Sequence, residues 1–112
     1  MPGKFELKKS SNGQYHFHLK ATNGQVILAS EQYKEKRGAL RGIESVKRNA
    51  ATDKRFERKT AKNGQHYFTL RASNGKTIGQ SETYESAASL EKGIESVKKN
   101  APDATVNDTT AS

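Results

Sequence analysis

The chain repeats itself. Shifted by 51 residues it matches its own sequence without a gap: of the 46 pairs formed by residues 5–50 against 56–101, 23 are identical. Phe5-Glu6 falls on Phe56-Glu57, Asn12-Gly13-Gln14 on Asn63-Gly64-Gln65, and Asn23-Gly24 on Asn74-Gly75. Ser30-Glu31-x-Tyr33 falls on Ser81-Glu82-x-Tyr84, and Gly42-Ile43-Glu44-Ser45-Val46-Lys47 on Gly93-Ile94-Glu95-Ser96-Val97-Lys98. A unit of this size cannot bury enough surface to be stable alone, so the two copies must share one interior. At 112 residues the chain is expected to be a single domain, residues 1–112, with repeat 1 at about 4–51 and repeat 2 at about 55–107.

Each repeat reads as three short strands and a helix. The strands are expected at 4–9, 14–21, 25–30, 55–61, 65–72 and 76–81, each unit punctuated by two Asn-Gly turns. A two-residue turn would scatter the apolar side chains over both faces. A three-residue turn, with the glycine left-handed in a bulge, pairs Phe5 with Leu19 and Leu7 with Phe17. It gathers Phe5, Leu7, Tyr15, Phe17, Leu19, Ala21 and Ile27 on one face, with Phe56, Phe68, Leu70, Ala72 and Ile78 as their counterparts. The opposite face then carries Glu6, Lys8, His16, His18, Lys20, Val26 and Leu28, then Glu57, Lys59, Tyr67, Thr69, Arg71, Thr77 and Gly79.

Helices are expected at 35–48 and 86–99, with Ala39, Ile43, Val46 and Leu90, Ile94, Val97 facing the sheet. Ser86 is a good N-cap and Glu35 a poor one. Gly42 and Gly93 weaken their helices, so close backbone contact is expected there, where helix meets sheet or where the two helices meet. Asn49 and Asn100 suit left-handed C-caps, and Pro102 blocks continuation. Ala104-Thr105-Val106-Asn107 reads as a short last strand, and 108–112 as a disordered tail. The fold class is therefore α+β: two tandem β-β-β-α(-β) repeats building a single, mainly antiparallel sheet with both helices on one face.

The pattern Phe-Glu, Asn-Gly-Gln, Phe-x-Leu-(Lys/Arg)-Ala-x-Asn-Gly, Ser-Glu-x-Tyr and Gly-Ile-Glu-Ser-Val-Lys-x-Asn-Ala resembles the YegP-like family of small uncharacterised bacterial proteins, over residues 4–101. The resemblance implies an interlocked fold whose last strands are exchanged between repeats. It implies no activity and no catalytic residues.

Composition narrows the function classes. The chain has no cysteine, which excludes disulfides and cysteine-based metal sites, and no apolar run near membrane-spanning length. No apolar stretch follows Lys4, so a cytoplasmic location is expected rather than secretion. The formal charge of +8 is uneven, +6 over residues 1–51 and +2 over 52–112. Such a balance favours polyanions as partners. Lys8, His16, Lys20, Lys59, Tyr67 and Arg71 form the candidate nucleic-acid surface, cations interleaved with planar rings on one sheet face. A solvated polar face is the plainer reading of the same residues. His16 and His18 share that face with Glu6, a set able to ligate a divalent metal, but repeat 2 offers Tyr67 and Thr69 instead, so no metal or other cofactor is expected. Nucleophile elbows and phosphate-cradling glycine loops are absent, and Glu44 and Glu95 read as solvated helix positions, so no catalysis is expected. Lys34, Lys36, Arg37, Arg41, Lys47 and Arg48 make the first helix basic, whereas Glu85, Glu91 and Glu95 temper the second. The expected protein is thus a monomeric, non-catalytic binding module engaging single-stranded nucleic acid. The alternative is a protein-interaction or stress-related accessory protein.

Overall fold

A computed structural model describes residues 3–110. The strands are β1 (Lys4–Lys9), β2 (Tyr15–Lys20), β3 (Val26–Ser30), β4 (Phe56–Thr60), β5 (His66–Arg71), β6 (Thr77–Gln80) and β7 (Thr105–Asp108). The helices are α1 (Lys36–Asn49) and α2 (Ala87–Asn100), and a 3-10 turn, Asp53–Arg55, leads into β4. All seven strands form one sheet in the order β4-β5-β6-β3-β2-β1-β7, antiparallel throughout except for β1 and β7. α1 packs on β2 and reaches across to β5 and β6, while α2 packs on β5 and β3, so each helix roofs both repeats. Neither is long and apolar enough to cross a membrane.

The expected turns are present. Gly13, Gly24, Gly64 and Gly75 all have φ of 85–87°. Asn12 Oδ1 accepts from the Gln14 N–H at 3.0 Å, and the Ser10 N–H donates to the Gln14 carbonyl at 2.7 Å, closing a three-residue loop. The register follows: Phe5 opposite Leu19, Leu7 opposite Phe17, Phe56 opposite Leu70. Ser86 caps α2 by accepting from the Ser89 N–H, whereas Glu35 makes no side-chain cap on α1. The two helix ends differ from expectation. Asn49 and Asn100 are not left-handed; their amides donate to the Ser45 and Ser96 carbonyls at 2.8 Å, and Ala50 and Ala101 follow in right-handed conformation. The side chain adds a second donor to a carbonyl of the last turn, and the Ala50 and Ala101 N–H groups carry the helical bonding on to Val46 and Val97, so the backbone does not turn over.

A bulge overturns part of the expected face assignment. In the β2–β3 pair Leu19 lies opposite Leu28 but Lys20 lies opposite Val26, leaving Ile27 as the extra residue, and Leu70, Arg71 and Ile78 repeat the pattern. Past the bulge the alternation inverts. Leu28, expected on the outer face, is fully buried in the core, and Gly79 turns inward with it. Ala29 and Gln80 take their places outside, opposite His18 and Thr69.

That inversion sets the join between repeats. β3 and β6 meet through two residue pairs, Ala29 with Gln80 and Ser30 with Gly79, around a local two-fold that relates the halves. Leu28 and Gly79 are equivalent positions on either side of it, and there is room for one large side chain. A Cβ on Gly79 would lie 2.7 Å from Leu28 Cγ. The glycine is thus a complement to Leu28 across the axis.

The close approach expected at Gly42 is made by a side chain. A Cβ there would lie 2.5 Å from Tyr33 Oη and 2.9 Å from Phe17. Tyr33 is held in place by two backbone hydrogen bonds with Tyr15 at 2.7 Å, and its ring stacks on Phe17 at 6.3 Å. Tyr84 and Gly93 repeat the arrangement.

The strand exchange runs one way. β7 crosses from repeat 2 to lie parallel to β1, Val106 beside Phe5 and Asp108 beside Leu7. The last strand therefore continues one residue into the segment expected to be a tail, and the Thr109 N–H and hydroxyl both donate to the Leu7 carbonyl. Residues 111 and 112 of that expected tail lie outside the described residues. Among the described residues, no strand covers the outer edge of β4. There Leu7 is replaced by Arg58, whose guanidinium grips Glu91 at 2.6 and 2.9 Å and Asp53 at 3.2 Å, with Lys98 on Asp53 at 2.8 Å. A charge on the helix-facing side of an edge strand discourages pairing with another chain.

Two outcomes follow. Gly79→Leu and Leu28→Gly should each lower the melting temperature, the first by overpacking and the second by a cavity, each worth on the order of 2 kcal/mol or more. The double variant should recover most of the loss in thermal denaturation, since it exchanges equivalent positions. Arg58→Leu should raise the sedimentation-measured mass with concentration; an unchanged mass at high concentration rules out edge protection.

Candidate nucleic-acid interface

The face of the sheet away from the helices is built on a line of paired residues running across all seven strands: Asn107, Glu6, His18, Ala29, Gln80, Thr69 and Glu57. Cations flank this line on both sides. Because neighbouring strands alternate in direction, Lys8 and His16 lie on the same side of it as Arg71, while Lys20 shares the other side with Lys59 and Tyr67. All six residues expected at the interface are therefore on one face.

They are not free charges. Glu6 draws in Lys20 at 3.1 Å, Lys8 at 3.5 Å and Lys4 at 3.9 Å. Glu57 holds Lys59 and Arg71, both at 3.0 Å. Lys20 foremost keeps the Glu6 carboxyl below its ordinary range, and Lys59 does the same for Glu57. The face carries five cations against two carboxylates, so its excess positive charge is modest, and each carboxylate occupies a place an incoming phosphate would seek.

The centre of the line is neutral. Burial, with the charges of His16 and Lys8 adding to it, holds His18 below its ordinary pKa, against the opposing pull of Glu6. The His16 and His18 rings meet edge-on at 5.2 Å, and His16 Nδ1 shares a hydrogen bond with Ser10 Oγ at 3.0 Å. With Glu6 engaged by three lysines, these groups do not converge on a point; no cluster of three metal-ligating side chains exists among the described residues. Gln80 is the part of the surface that sequence reasoning missed, because only the bulge turns it outward.

The comparisons with known proteins agree with the fold. A domain of unknown function, DUF1508, matches twice, at residues 10–57 and 61–108. The chain belongs to this family of uncharacterised proteins, the UPF0339 or YegP-like proteins. It is 51% identical over 108 residues to a UPF0339 protein of Pseudomonas aeruginosa, covering 96% of this chain and 98% of the relative. To YegP of Escherichia coli K12 it is 51% identical over 110 residues, covering 98% of this chain and all of the relative. The solution structure of E. coli YegP, a protein of unknown function, superposes with a TM-score of 0.94 over all of this chain and 97% of that one, at 51% identity. That of a UPF0339 protein from Shewanella oneidensis superposes with a TM-score of 0.91 at 48% identity, covering 96% and 92%. The matched units begin at β2 and β5, so each is two strands, a helix and the stretch after it. Cut this way, repeat 1 delivers β4 to the edge of β5, while β1 takes the matching place beside β2 and β7 is added outside it.

The electrostatics predict a two-stage acid response. His18 has a folded pKa below its unfolded 6.5, so its contribution to stability is complete above 6.5 and is lost as the pH falls from there through the lower folded value. Glu6 and Glu57 are lowered from 4.5, so their contribution is complete above that pH and is lost as the pH falls below it through the folded values, in stronger acid than for His18. Melting temperatures measured between about pH 7.5 and about pH 5.5 should fall for the wild type and stay flatter for His18→Asn.

Proposed function

We propose that the protein is a non-catalytic binding module whose uncovered sheet face takes single-stranded nucleic acid, with low affinity and strong salt dependence. The observation that carries this reading is the seven-strand polar face with cations on both sides of a midline whose centre is neutral, and one or two rings per repeat. Spaced cations track a phosphate backbone, and a neutral strip between them accepts bases. Affinity is limited because every phosphate must displace a cation from Glu6 or Glu57. A shallow face of this kind has no convergent nucleophile, acid and base, which supports binding over catalysis.

A second reading, a protein-interaction role without nucleic acid, is favoured by α1. There Leu40 is 40% exposed beside Arg37, Arg41, Glu44 and Arg48, where the equivalent of Leu40 in α2 is Glu91. Capture from the native cell with and without nuclease separates the two: loss of co-purifying material on nuclease treatment supports the first.

Four phosphate contacts, from Lys8, Lys20, Lys59 and Arg71, predict roughly 50-fold weaker binding of an oligonucleotide when salt rises from about 50 to about 200 mM. In fluorescence anisotropy, Lys20→Glu with Arg71→Glu should abolish binding, and Glu6→Gln with Glu57→Gln should strengthen it several-fold. Undetectable binding at low salt, or indifference to the Lys20 and Arg71 changes, defeats the proposal.

A further inference from the structure

Thr69 is 3% exposed although it stands on the sheet face that no helix covers, and its hydroxyl has no hydrogen-bond partner. Arg71, two residues on and therefore on the same face, has a second orphan: its Nη2 bonds Glu57 at 3.0 Å, but its Nε is buried and unpartnered. Buried polar groups in folded proteins are almost always paired, and each exception calls for a cause. Valine at position 69 would keep the shape and the strand preference without the orphan. Repeat 1 has nothing comparable, since the counterparts are His18 and Lys20, and Lys20 is paired to Glu6.

We infer that Thr69 and Arg71 form a subsite for a nucleobase bearing a ring carbonyl, and that the site discriminates against adenine. This rests on the sheet-face reading above. A threonine hydroxyl can donate, and an arginine Nε–H can do nothing else. A carbonyl oxygen has two lone pairs and can accept from two donors at once. Thymine, uracil, cytosine and guanine carry such an oxygen on the ring; adenine does not. The surroundings suit a base. Tyr67 precedes Thr69 by two residues on the same face and offers a ring. Gln80, exposed and opposite Thr69, offers an amide with both donor and acceptor. Lys59, opposite Tyr67, stands where the adjoining phosphate would lie. Entry requires the Arg71 side chain to lift from the face. Its tether is the single bond to Glu57, and side-chain rearrangement of this order is common on binding.

The test uses fluorescence anisotropy with oligo-dT and oligo-dA of equal length at one low salt concentration, on the wild type and Thr69→Val. The wild type should bind oligo-dT ~10-fold more tightly than oligo-dA, the discrimination one good base contact provides. Flexible pyrimidine strands favour many basic surfaces, so the diagnostic is the variant. Thr69→Val should bind both strands with the oligo-dA affinity and melt at the same temperature as the wild type or higher. Equal binding of the two strands by the wild type overturns the inference, as does a preference retained in Thr69→Val or a lowered melting temperature in that variant. In each of those cases the sheet-face reading stands if Lys20→Glu with Arg71→Glu still weakens binding. If no oligonucleotide binds the wild type, both readings fall.

Discussion

Two residue pairs join the two halves of the sheet. Where β3 meets β6, Ala29 pairs with Gln80 and Ser30 with Gly79, and without that contact there would be one three-stranded and one four-stranded sheet, each with half a core. So short a ladder cannot by itself hold a sheet together. What secures it is packing across the axis: Leu28 fills the space beside Gly79, and each helix lies over strands of both repeats. Ser30 and Ser81 add to it. Their hydroxyls accept from the Phe17 and Phe68 N–H groups at 2.8 and 2.9 Å, taking the part of a carbonyl where the strands diverge. The join is thus maintained from the roof.

A duplicated chain need not remain symmetric, and here the departures follow from position. At the β1 edge Leu7 is buried because β7 and its continuation shelter it. The equivalent place on β4 has no such cover, and an exposed leucine there would be an invitation to other strands. Arg58 and Glu91 stand where the first repeat has Leu7 and Leu40, a paired substitution of an apolar couple by an ionic one. The carboxylates of Glu91 and Asp53 in turn raise the Arg58 pKa and keep it charged. At the other edge Lys36 and Thr110 hold the Asp108 carboxyl down to about 2, so the outermost strand is fastened at its end by charge as well as by backbone. These changes occur at the two edges, where the two-fold is broken because only β1 receives an added strand, whereas the Leu28–Gly79 difference arises at the axis, where one space serves both positions.

Most of the architecture was legible because the apolar residues alternate and the turns carry Asn-Gly. Those two signals fix strand number, loop length and the register Phe5–Leu19 and Leu7–Phe17. The bulges left no such mark. Val26-Ile27-Leu28 is a continuous apolar run, compatible with either inward pair, and only the packing of Leu28 against Gly79 decides it. The glycines of the helices mark points of close approach, but the partner is not backbone: it is an aromatic ring held by a strand-like bridge that lies between elements. For the asparagines, a local side-chain bond to the helix carbonyl competed with the left-handed turn and won. On the outer face the cations were readable from alternation alone. That Glu6 and Glu57 would each gather several of them was not, since it depends on neighbours from two strands at once.

This gathering changes what the basic charge means. A chain with eight more cations than anions suggests an open electropositive surface, yet on the sheet face the carboxylates sit among the lysines and neutralise part of the field. Their effect on an incoming polyanion is a competition at contact range, where hydrogen-bonded pairs must be exchanged one for one. Such a surface gains less from long-range attraction than its composition implies and more from the groups left unpaired. On this face those groups are in repeat 2, at Thr69 and Arg71, even though the larger share of the net charge belongs to repeat 1. Net charge and unpaired donors are therefore concentrated in different halves of the sheet: the charge in repeat 1, and the unpartnered Thr69 hydroxyl and Arg71 Nε in repeat 2.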